Sequence, residues 1–178
     1  MVSYRVLEPD EVARVGEIDR TERIDALYVQ RGTELERVSG EFSAPPWRDG
    51  DGGHSIRHQV EECERWLAAG GTAIGAFDGK RLVGIGIVAP ELRDGIAQLA
   101  FLHVSDGFRG QGVGRRLSDE LDGIAAAAGA TTMVVSATPS VNTVDFYRRR
   151  GYAPTATPLP ELLELEPDDV HMEKRLGP

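Results

Sequence analysis

Residues 96–116 read IAQLAFLHVSDGFRGQGVGRR, in which an apolar run is followed by a glycine-rich segment. The run 96–104 is nearly all apolar, as in a strand buried at the centre of a sheet. The glycines of the following turn, 107–114, let backbone N–H groups converge without obstruction by Cβ atoms. A helix predicted from Val113 adds unpaired amide donors and the positive end of its dipole. The segment therefore predicts a phosphate-binding turn, with a purely structural strand-to-helix connection as the alternative.

Two other phosphate-binding motifs are excluded by the residues that follow this turn. A P-loop ends in Gly-Lys-Ser/Thr, whereas Gly114 is followed by two arginines. The dinucleotide-binding fingerprint requires a third glycine three residues after the second, and Arg115 occupies that position after Gly112.

The spacing resembles the Arg/Gln-x-x-Gly-x-Gly/Ala signature of the GCN5-related N-acetyltransferase (GNAT) superfamily, which RGQGVG at 109–114 matches. In that family the motif follows a central strand that usually ends in valine, here Val104, and an aromatic residue precedes the arginine, here Phe108. Farther along the chain, FYRRRGY at 146–152 is similar to the family's Phe-Tyr-x-x-x-Gly-Phe segment. The resemblance covers 82–152, and the first seventy residues match only loosely.

The hydrophobic periodicity of the rest of the chain predicts a mixed α/β (α+β) domain. The resemblance implies a mostly antiparallel central sheet flanked by helices, with two parallel central strands that splay apart. The segment 25–38 is ambiguous, and the Pro- and Gly-rich segment 40–53 is predicted to be a mobile loop, either a surface connection or a substrate lid. The predicted strands are 2–7, 72–77, 81–88, 96–104, 131–137 and 170–176, and the predicted helices are 8–19, 55–69, 113–128 and 140–150.

Length and composition restrict the function classes. A chain of 178 residues with 40% hydrophobic and 28% charged residues fits one globular domain over 1–178. It has no apolar run of the roughly 18 residues that a spanning helix needs, and no signal-peptide pattern, so we expect a cytoplasmic protein without a membrane partner. The net charge of -9 opposes nucleic-acid binding. Its one cysteine, Cys63, excludes an internal disulfide and makes a structural metal site a poor hypothesis.

The resemblance implies a cosubstrate, acetyl-coenzyme A (acetyl-CoA), bound between the two parallel central strands. Its pantetheine arm would pair with the backbone of Leu102, His103 and Val104, whose side chains also fit ordinary core packing. Arg109 would contact phosphate or stand as a solvated charge at the helix entry. The backbone amides that would hold the pyrophosphate are those of Gly110, Gln111, Gly112, Val113, Gly114 and Arg115.

For the chemistry, the resemblance implies that the hydroxyl of Tyr147 protonates the departing thiolate; a tyrosine packed at a helix end is the alternative. Asn142 is a candidate for a hydrogen bond to coenzyme A. Many family members place that asparagine seven residues before the tyrosine, where this chain has Ser140, and Ser140 fits a helix cap.

The general base is not identified by the sequence. Histone-acetylating members carry a glutamate where this chain has Gln98, which cannot take a proton at neutral pH. His103 titrates in a useful range, but strand alternation favours a direction away from the cleft. As a lone histidine among apolar neighbours it fits a hydrogen-bonded core residue. His54 and His58 have zinc-like spacing without a third ligand, so we expect a solvated helix entry there. Trp47 is either a core plug or a wall of the substrate site.

The resemblance implies an N-acetyltransferase that moves an acetyl group from acetyl-CoA to a primary amine by direct attack in a ternary complex. The substrate is a small molecule or peptide that the sequence does not identify. A CoA-binding sensor or regulatory module without turnover is the second hypothesis, and another acyl donor such as succinyl-CoA is the third. Dimerisation is common in the family, which makes a homodimer an expectation to test.

Overall fold

The computed structural model describes residues 1–177 and builds them around a seven-stranded sheet. Across this sheet the strand order is β1-β4-β5-β6-β7-β9-β8, and only β6 and β7 are parallel neighbours. The mixed, mostly antiparallel sheet that the sequence predicted is confirmed. The elements are β1 (Val2–Val6), a 3₁₀ helix (Pro9–Glu17), β2 (Glu22–Arg31), β3 (Glu34–Ala44), α1 (Ile56–Ala68), β4 (Thr72–Asp78), β5 (Arg81–Arg93), β6 (Ile96–Val104), α2 (Val113–Ala127), β7 (Thr132–Ala137), α3 (Val141–Arg149), β8 (Ala153–Pro154), α4 (Pro160–Leu165) and β9 (Val170–Arg175).

Each face of the sheet carries its own hydrophobic core. On one face, which we call the α2 face, the sheet packs against the buried side chains of α2 and α3, among them Leu117 and Val144. On the other, the α1 face, the 3₁₀ helix and α1 contribute Val12, Val15 and Cys63. Side chains of successive strand residues alternate between these two cores, which is the pattern of a sheet covered on both sides.

Two glycines of β5 let α2 lie close to the sheet. A Cβ atom at Gly86 would lie 2.8 Å from Cδ1 of Leu121, and one at Gly84 would lie 3.1 Å from Cδ1 of Leu117. Both leucines are fully buried, and burial of a leucine side chain is worth roughly 1.5–3 kcal/mol. This close packing fixes the N-terminus of α2 relative to the end of β6.

The ambiguous segment and the predicted loop form a two-stranded hairpin outside the large sheet. β2 and β3 pair from Glu22 with Ala44 to Arg31 with Glu34. The loop predicted over 40–53 is therefore wrong in its first part, since β3 continues to Ala44. Most β3 side chains are exposed, so the strand lacks the clear apolar alternation by which a half-buried strand is recognised.

No helix within residues 1–177 is long and apolar enough to span a membrane.

Candidate functional site

A cleft opens where the two parallel strands separate. Pairing between β6 and β7 is limited to Ile96–Gln98 opposite Thr132–Val134. Beyond it, Leu99–Val104 pairs only with β5, and Val135–Ala137 pairs only with β9. Although β6 is the middle strand of the sheet, its residues become partly exposed from Ala100 onward. We define the cleft as this gap, one wall of which is the unpaired backbone edge of β6.

A β-bulge at Ala100 changes which side chains of β6 face each side of the sheet. Ile87 pairs with Phe101 and the next residue of β5 pairs with Leu99, so β6 holds one extra residue at this point. Leu99 lies in the core of the α2 face, and after the bulge Leu102 packs there too, whereas Phe101 lies against the α1 face. The bulge therefore directs Phe101 and His103 toward the α1 face.

The glycine-rich turn after β6 has the conformation that a row of converging amides requires. Gly107, Gly110 and Gly112 have φ values of 82°, 74° and 86°, a region that favours glycine, and a Cβ atom at any of them would meet no atom within 4 Å. The first hydrogen bond of α2 runs from the Arg116 N–H to the Gly112 carbonyl, 2.9 Å away. Among residues 1–177 the amides from Gly110 to Arg115 have no acceptor.

The last residues of the motif combine these free amides with packing. The Val113 side chain is buried, and a Cβ atom at Gly114 would lie 3.4 Å from Phe146 and 3.5 Å from Val104. Arg115 is exposed, with Nε 3.8 Å from a carboxylate oxygen of Asp119. These contacts fix the turn between β6 and α3, while its amides remain available for a ligand.

Arg109 fastens the turn to the segment before the hairpin. Its Nε donates to the Val104 carbonyl at 3.0 Å, and Nη1 donates to the Thr21 carbonyl at 2.7 Å. A carboxylate oxygen of Asp106 lies 4.0 Å from the guanidinium. The two alternatives left open by the sequence were a phosphate contact and a solvated charge, and the structure adds a third role, because these bonds hold the mouth of the cleft together.

Tyr147 is buried on α3 within the core of the α2 face. Its ring lies 5.2 Å from that of Phe146 and 5.3 Å from that of Tyr152, between centroids. No side-chain hydrogen bond within residues 1–177 engages its hydroxyl. Burial, with a contribution from the charge of Asp169, raises the pKa of Tyr147 above its ordinary value of 10. The hydroxyl therefore keeps its proton at neutral pH and is available as a donor.

The two candidates at the start of α3 have different positions. Ser140 caps the helix, since its hydroxyl accepts from the Thr143 N–H at 3.2 Å. The side-chain amide of Asn142 donates to a carboxylate oxygen of Glu22 at 2.9 Å and to the Arg23 carbonyl at 3.1 Å. The structure thus ties Asn142 to the β2–β3 hairpin.

The α1 side of the cleft carries an aromatic cluster that the sequence only partly indicated. The Trp47 ring lies 5.0 Å from that of His103 and 6.4 Å from that of Phe101, between centroids. Burial, then the charges of Arg20 and Arg109, lowers the pKa of His103 to about 4. The imidazole is therefore neutral at physiological pH and a weak proton acceptor.

Two further polar groups lie on or beside the strands of the sheet, and of the two only Gln98 was indicated by the sequence. The Gln98 side chain is buried, and its Oε1 has no donor within residues 1–177. Asp169 precedes Val170, which pairs with Ala137 at the end of β7. Burial, followed by the charges of Glu166 and Asp168, raises the pKa of Asp169 to about 7.

The two histidines with zinc-like spacing contact different partners. His54 contacts Arg20, and Nε2 of His58 lies 3.7 Å from Glu62. Within residues 1–177 no group of three His, Cys, Asp or Glu side chains is placed to hold a metal ion.

The β2–β3 hairpin connects the two separated strand ends, and its position could not be read from the sequence. Before β2, the Asp19 N–H donates to the Ser105 hydroxyl at the end of β6, 3.0 Å away. Near the end of β2, the Tyr28 N–H donates to the Pro139 carbonyl beyond β7, 2.7 Å away. Gln30 also accepts from the His171 N–H at 2.8 Å. β2 therefore runs from one side of the cleft to the other.

Comparison with known proteins agrees with this architecture. The family described as acetyltransferase (GNAT) domain matches residues 54–176. Nourseothricin acetyltransferase is similar in structure, with 19% identity, 99% of each chain covered and a TM-score of 0.72. A candidate streptothricin acetyltransferase from Bacillus anthracis, in complex with acetyl coenzyme A, is 13% identical in sequence, with 99% of each chain covered and a TM-score of 0.72. PaiA N-acetyltransferase from Thermoplasma acidophilum, in complex with coenzyme A, is 15% identical in sequence, with 98% of this chain and 99% of that chain covered and a TM-score of 0.63.

The family model matches well over half of the chain, including the cleft, the turn and α3. The chain therefore belongs to the GNAT acetyltransferase family. No curated protein matches the sequence.

Proposed function

We propose that this chain is an N-acetyltransferase that moves an acetyl group from acetyl-CoA to a primary amine by direct attack in a ternary complex. The observation that carries the proposal is the row of amides from Gly110 to Arg115, which lack acceptors within residues 1–177 and follow the strand that borders the cleft. Converging amides at a helix N-terminus favour a pyrophosphate. Two structural relatives contain coenzyme A or acetyl-CoA, which supports the same cosubstrate here.

The residues of the cleft fit this cosubstrate. The amides of the glycine-rich turn would hold the pyrophosphate, and the free edge of Leu102–Val104 would pair with the amides of pantetheine as an added strand does. A free backbone amide of β6 would also polarise the thioester oxygen. When bound, acetyl-CoA supplies an activated acetyl thioester. The chain's own contribution is to orient the thioester next to the attacking amine.

Tyr147 would act as general acid. Its hydroxyl is protonated at neutral pH and lacks a side-chain partner within residues 1–177, so it can donate to the sulfur as the thiolate leaves. General acid help of this kind is typically worth about 10²- to 10⁴-fold in rate.

A covalent intermediate on cysteine is disfavoured. Cys63 lies in the core of the α1 face with no exposed surface. Burial raises the pKa of its thiol to about 12, so the reactive thiolate is scarce at neutral pH. Direct attack by the amine is therefore the simpler route.

The test is release of free thiol from acetyl-CoA in the presence of amines. The panel should include nourseothricin and streptothricin-type antibiotics, because two structural relatives are acetyltransferases with those names. It should also include aminoglycosides, amino acids and polyamines. Succinyl-CoA as a parallel donor tests the acyl group. Amine-dependent thiol release with acetyl-CoA supports the proposal, and a preference for succinyl-CoA would contradict the acetyl assignment.

One observation favours a second candidate, a CoA-binding sensor without turnover. Gln98 cannot take a proton and His103 is a weak acceptor, so the α1 side of the cleft has no strong base at these two positions. The same assay separates the two functions: a sensor would bind coenzyme A without releasing thiol for any amine.

A further inference from the structure

Arg20 stands out because its side chain is partly buried beside the cleft and has no carboxylate partner within residues 1–177. Its Nε donates to the Pro45 carbonyl at 2.7 Å, and Nη2 donates to Nδ1 of His54 at 3.3 Å. The guanidinium lies 5.9 Å from the ring centroid of Trp47, within the range of a cation–π contact. No carboxylate of residues 1–177 lies within 4.0 Å of it, and its Nη1 donates no hydrogen bond within the same residues.

This lack of a counter-ion distinguishes Arg20 from the other half-buried arginines within residues 1–177. The other half-buried arginines within residues 1–177 are Arg14, Arg109 and Arg150, and each has a carboxylate oxygen within 4.0 Å. The described arginines without such a partner, apart from Arg20, are all exposed: Arg37, Arg48, Arg81, Arg149 and Arg175. A charge removed from water is costly unless it is paired, and arginine pairs best with a carboxylate or phosphate.

The position of Arg20 connects this unpaired charge to the acceptor side of the cleft. The glycine-rich turn and α2 lie on one face of the sheet, so a cosubstrate held there leaves the α1 face for the amine. Trp47, which Arg20 covers, packs on Phe101 and His103 of the unpaired half of β6. The indole Nε1 of Trp47 is buried and has no acceptor within residues 1–177. Trp47 therefore offers a second hydrogen-bond donor without a partner, next to Arg20.

We infer that the amine acceptor carries an anionic group of the carboxylate type that pairs with Arg20, an inference that rests on the proposed acetyl transfer. The substrate class is an amino acid or a similar carboxylate-bearing amine. The charge of Arg20, which has no carboxylate partner within residues 1–177, would repel a polycation, so polycationic antibiotics are poor acceptors under this inference.

The test uses pairs of acceptors that differ mainly in the carboxylate: tyrosine with tyramine, lysine with cadaverine, and phenylalanine with phenylalaninamide. Steady-state thiol release gives kcat/KM for each, and calorimetry in the presence of coenzyme A gives binding without turnover. We expect the carboxylate-bearing member of at least one pair to exceed its partner by tenfold or more. The R20Q variant should reduce that preference by about 10- to 100-fold.

The controls separate recognition from structure. Arg20 also fastens the loop at 45–54, and a purely structural role would make R20Q weaken both members of a pair alike. The R20K variant keeps the charge but not the geometry of these bonds, and should keep part of the preference. Arg37→Gln removes the same charge from an exposed position of β3 and should leave the preference within twofold.

Two results would overturn the inference. In the first, the protein binds coenzyme A, but it neither binds nor acetylates any carboxylate-bearing amine better than the matching amine without the carboxylate. In the second, the R20Q substitution lowers kcat/KM equally for both amines of a pair. Failure of the wild type to bind coenzyme A at all would instead contradict the proposed function, so the two failures are distinguishable.

Discussion

Replacing Tyr147 with phenylalanine tests the general-acid role proposed for its hydroxyl group. The ring contacts with Phe146 and Tyr152 are kept, and no side-chain hydrogen bond within residues 1–177 is lost. The free energy of unfolding should therefore change by less than about 0.5 kcal/mol. If the hydroxyl protonates the leaving thiolate, kcat should fall by about 10²- to 10⁴-fold, which corresponds to roughly 3–5.5 kcal/mol of activation free energy.

The assay is thiol release under saturating acetyl-CoA, with calorimetry for cofactor affinity and urea unfolding for stability. Tyr152→Phe is the matched control, because the Tyr152 hydroxyl is also buried without a partner and its ring lies 5.3 Å from that of Tyr147. The control should keep turnover within about threefold, as substitutions that do not touch reacting groups usually do. Full turnover by Tyr147→Phe, or an equal loss in both variants, would refute the role of Tyr147.

Three predictions concern stability and are checked by urea unfolding. The pKa of Asp169 is about 7 in the folded protein and 3.8 ordinarily, so the free energy of unfolding should fall as the pH rises from 3.8 to 7. At pH 8, Asp169→Asn should be more stable than wild type by about 1–2 kcal/mol, a modest gain because partial solvation screens the charge. At pH 3 the two proteins should be equally stable. A pH-independent difference would contradict this cause. Gly86→Ala places a methyl 2.8 Å from Leu121 and should cost about 1–3 kcal/mol; no loss would mean that α2 can move. Gly123→Ala, in α2 with open space around it, should gain roughly 0.5–1 kcal/mol, and a loss would contradict the helical assignment there.

The central part of the fold could be predicted because its signals are local. Three features specify a conformation through residues close in sequence. They are the apolar run of β6, the Asp78-Gly79 turn between β4 and β5, and the Ser55 cap of α1. The glycine pattern at 110–114 likewise indicated a strand-to-helix turn with free amides before any contact was known. These are the regions where local preference and the final structure agree.

The rest depends on contacts between residues distant in sequence. Arg20 meets Pro45 and His54 across 25 and 34 residues, and no local pattern specifies such contacts. The bulge at Ala100 arises from the register with β5, so the alternation of β6 alone could not fix the face on which His103 lies. The hairpin escaped recognition because β3 is mostly exposed and is positioned by contacts of β2 with the ends of β6 and β7.

Calorimetric titration of acetyl-CoA shows whether the glycine-rich turn holds the cofactor, with glutamate variants at the two ends of α2 measured beside the wild type. Gly112 and Gly129 flank this helix with φ values of 86° and 94°, and neither would bring a Cβ atom within 4 Å of another residue. The two substitutions therefore impose similar strain and the same added charge, but only Gly112→Glu places the charge among the free amides. We predict saturable binding by wild type and Gly129→Glu and none by Gly112→Glu. A folded wild type that does not bind, or equal binding by both variants, would contradict the assignment of the glycine-rich turn as the cofactor site.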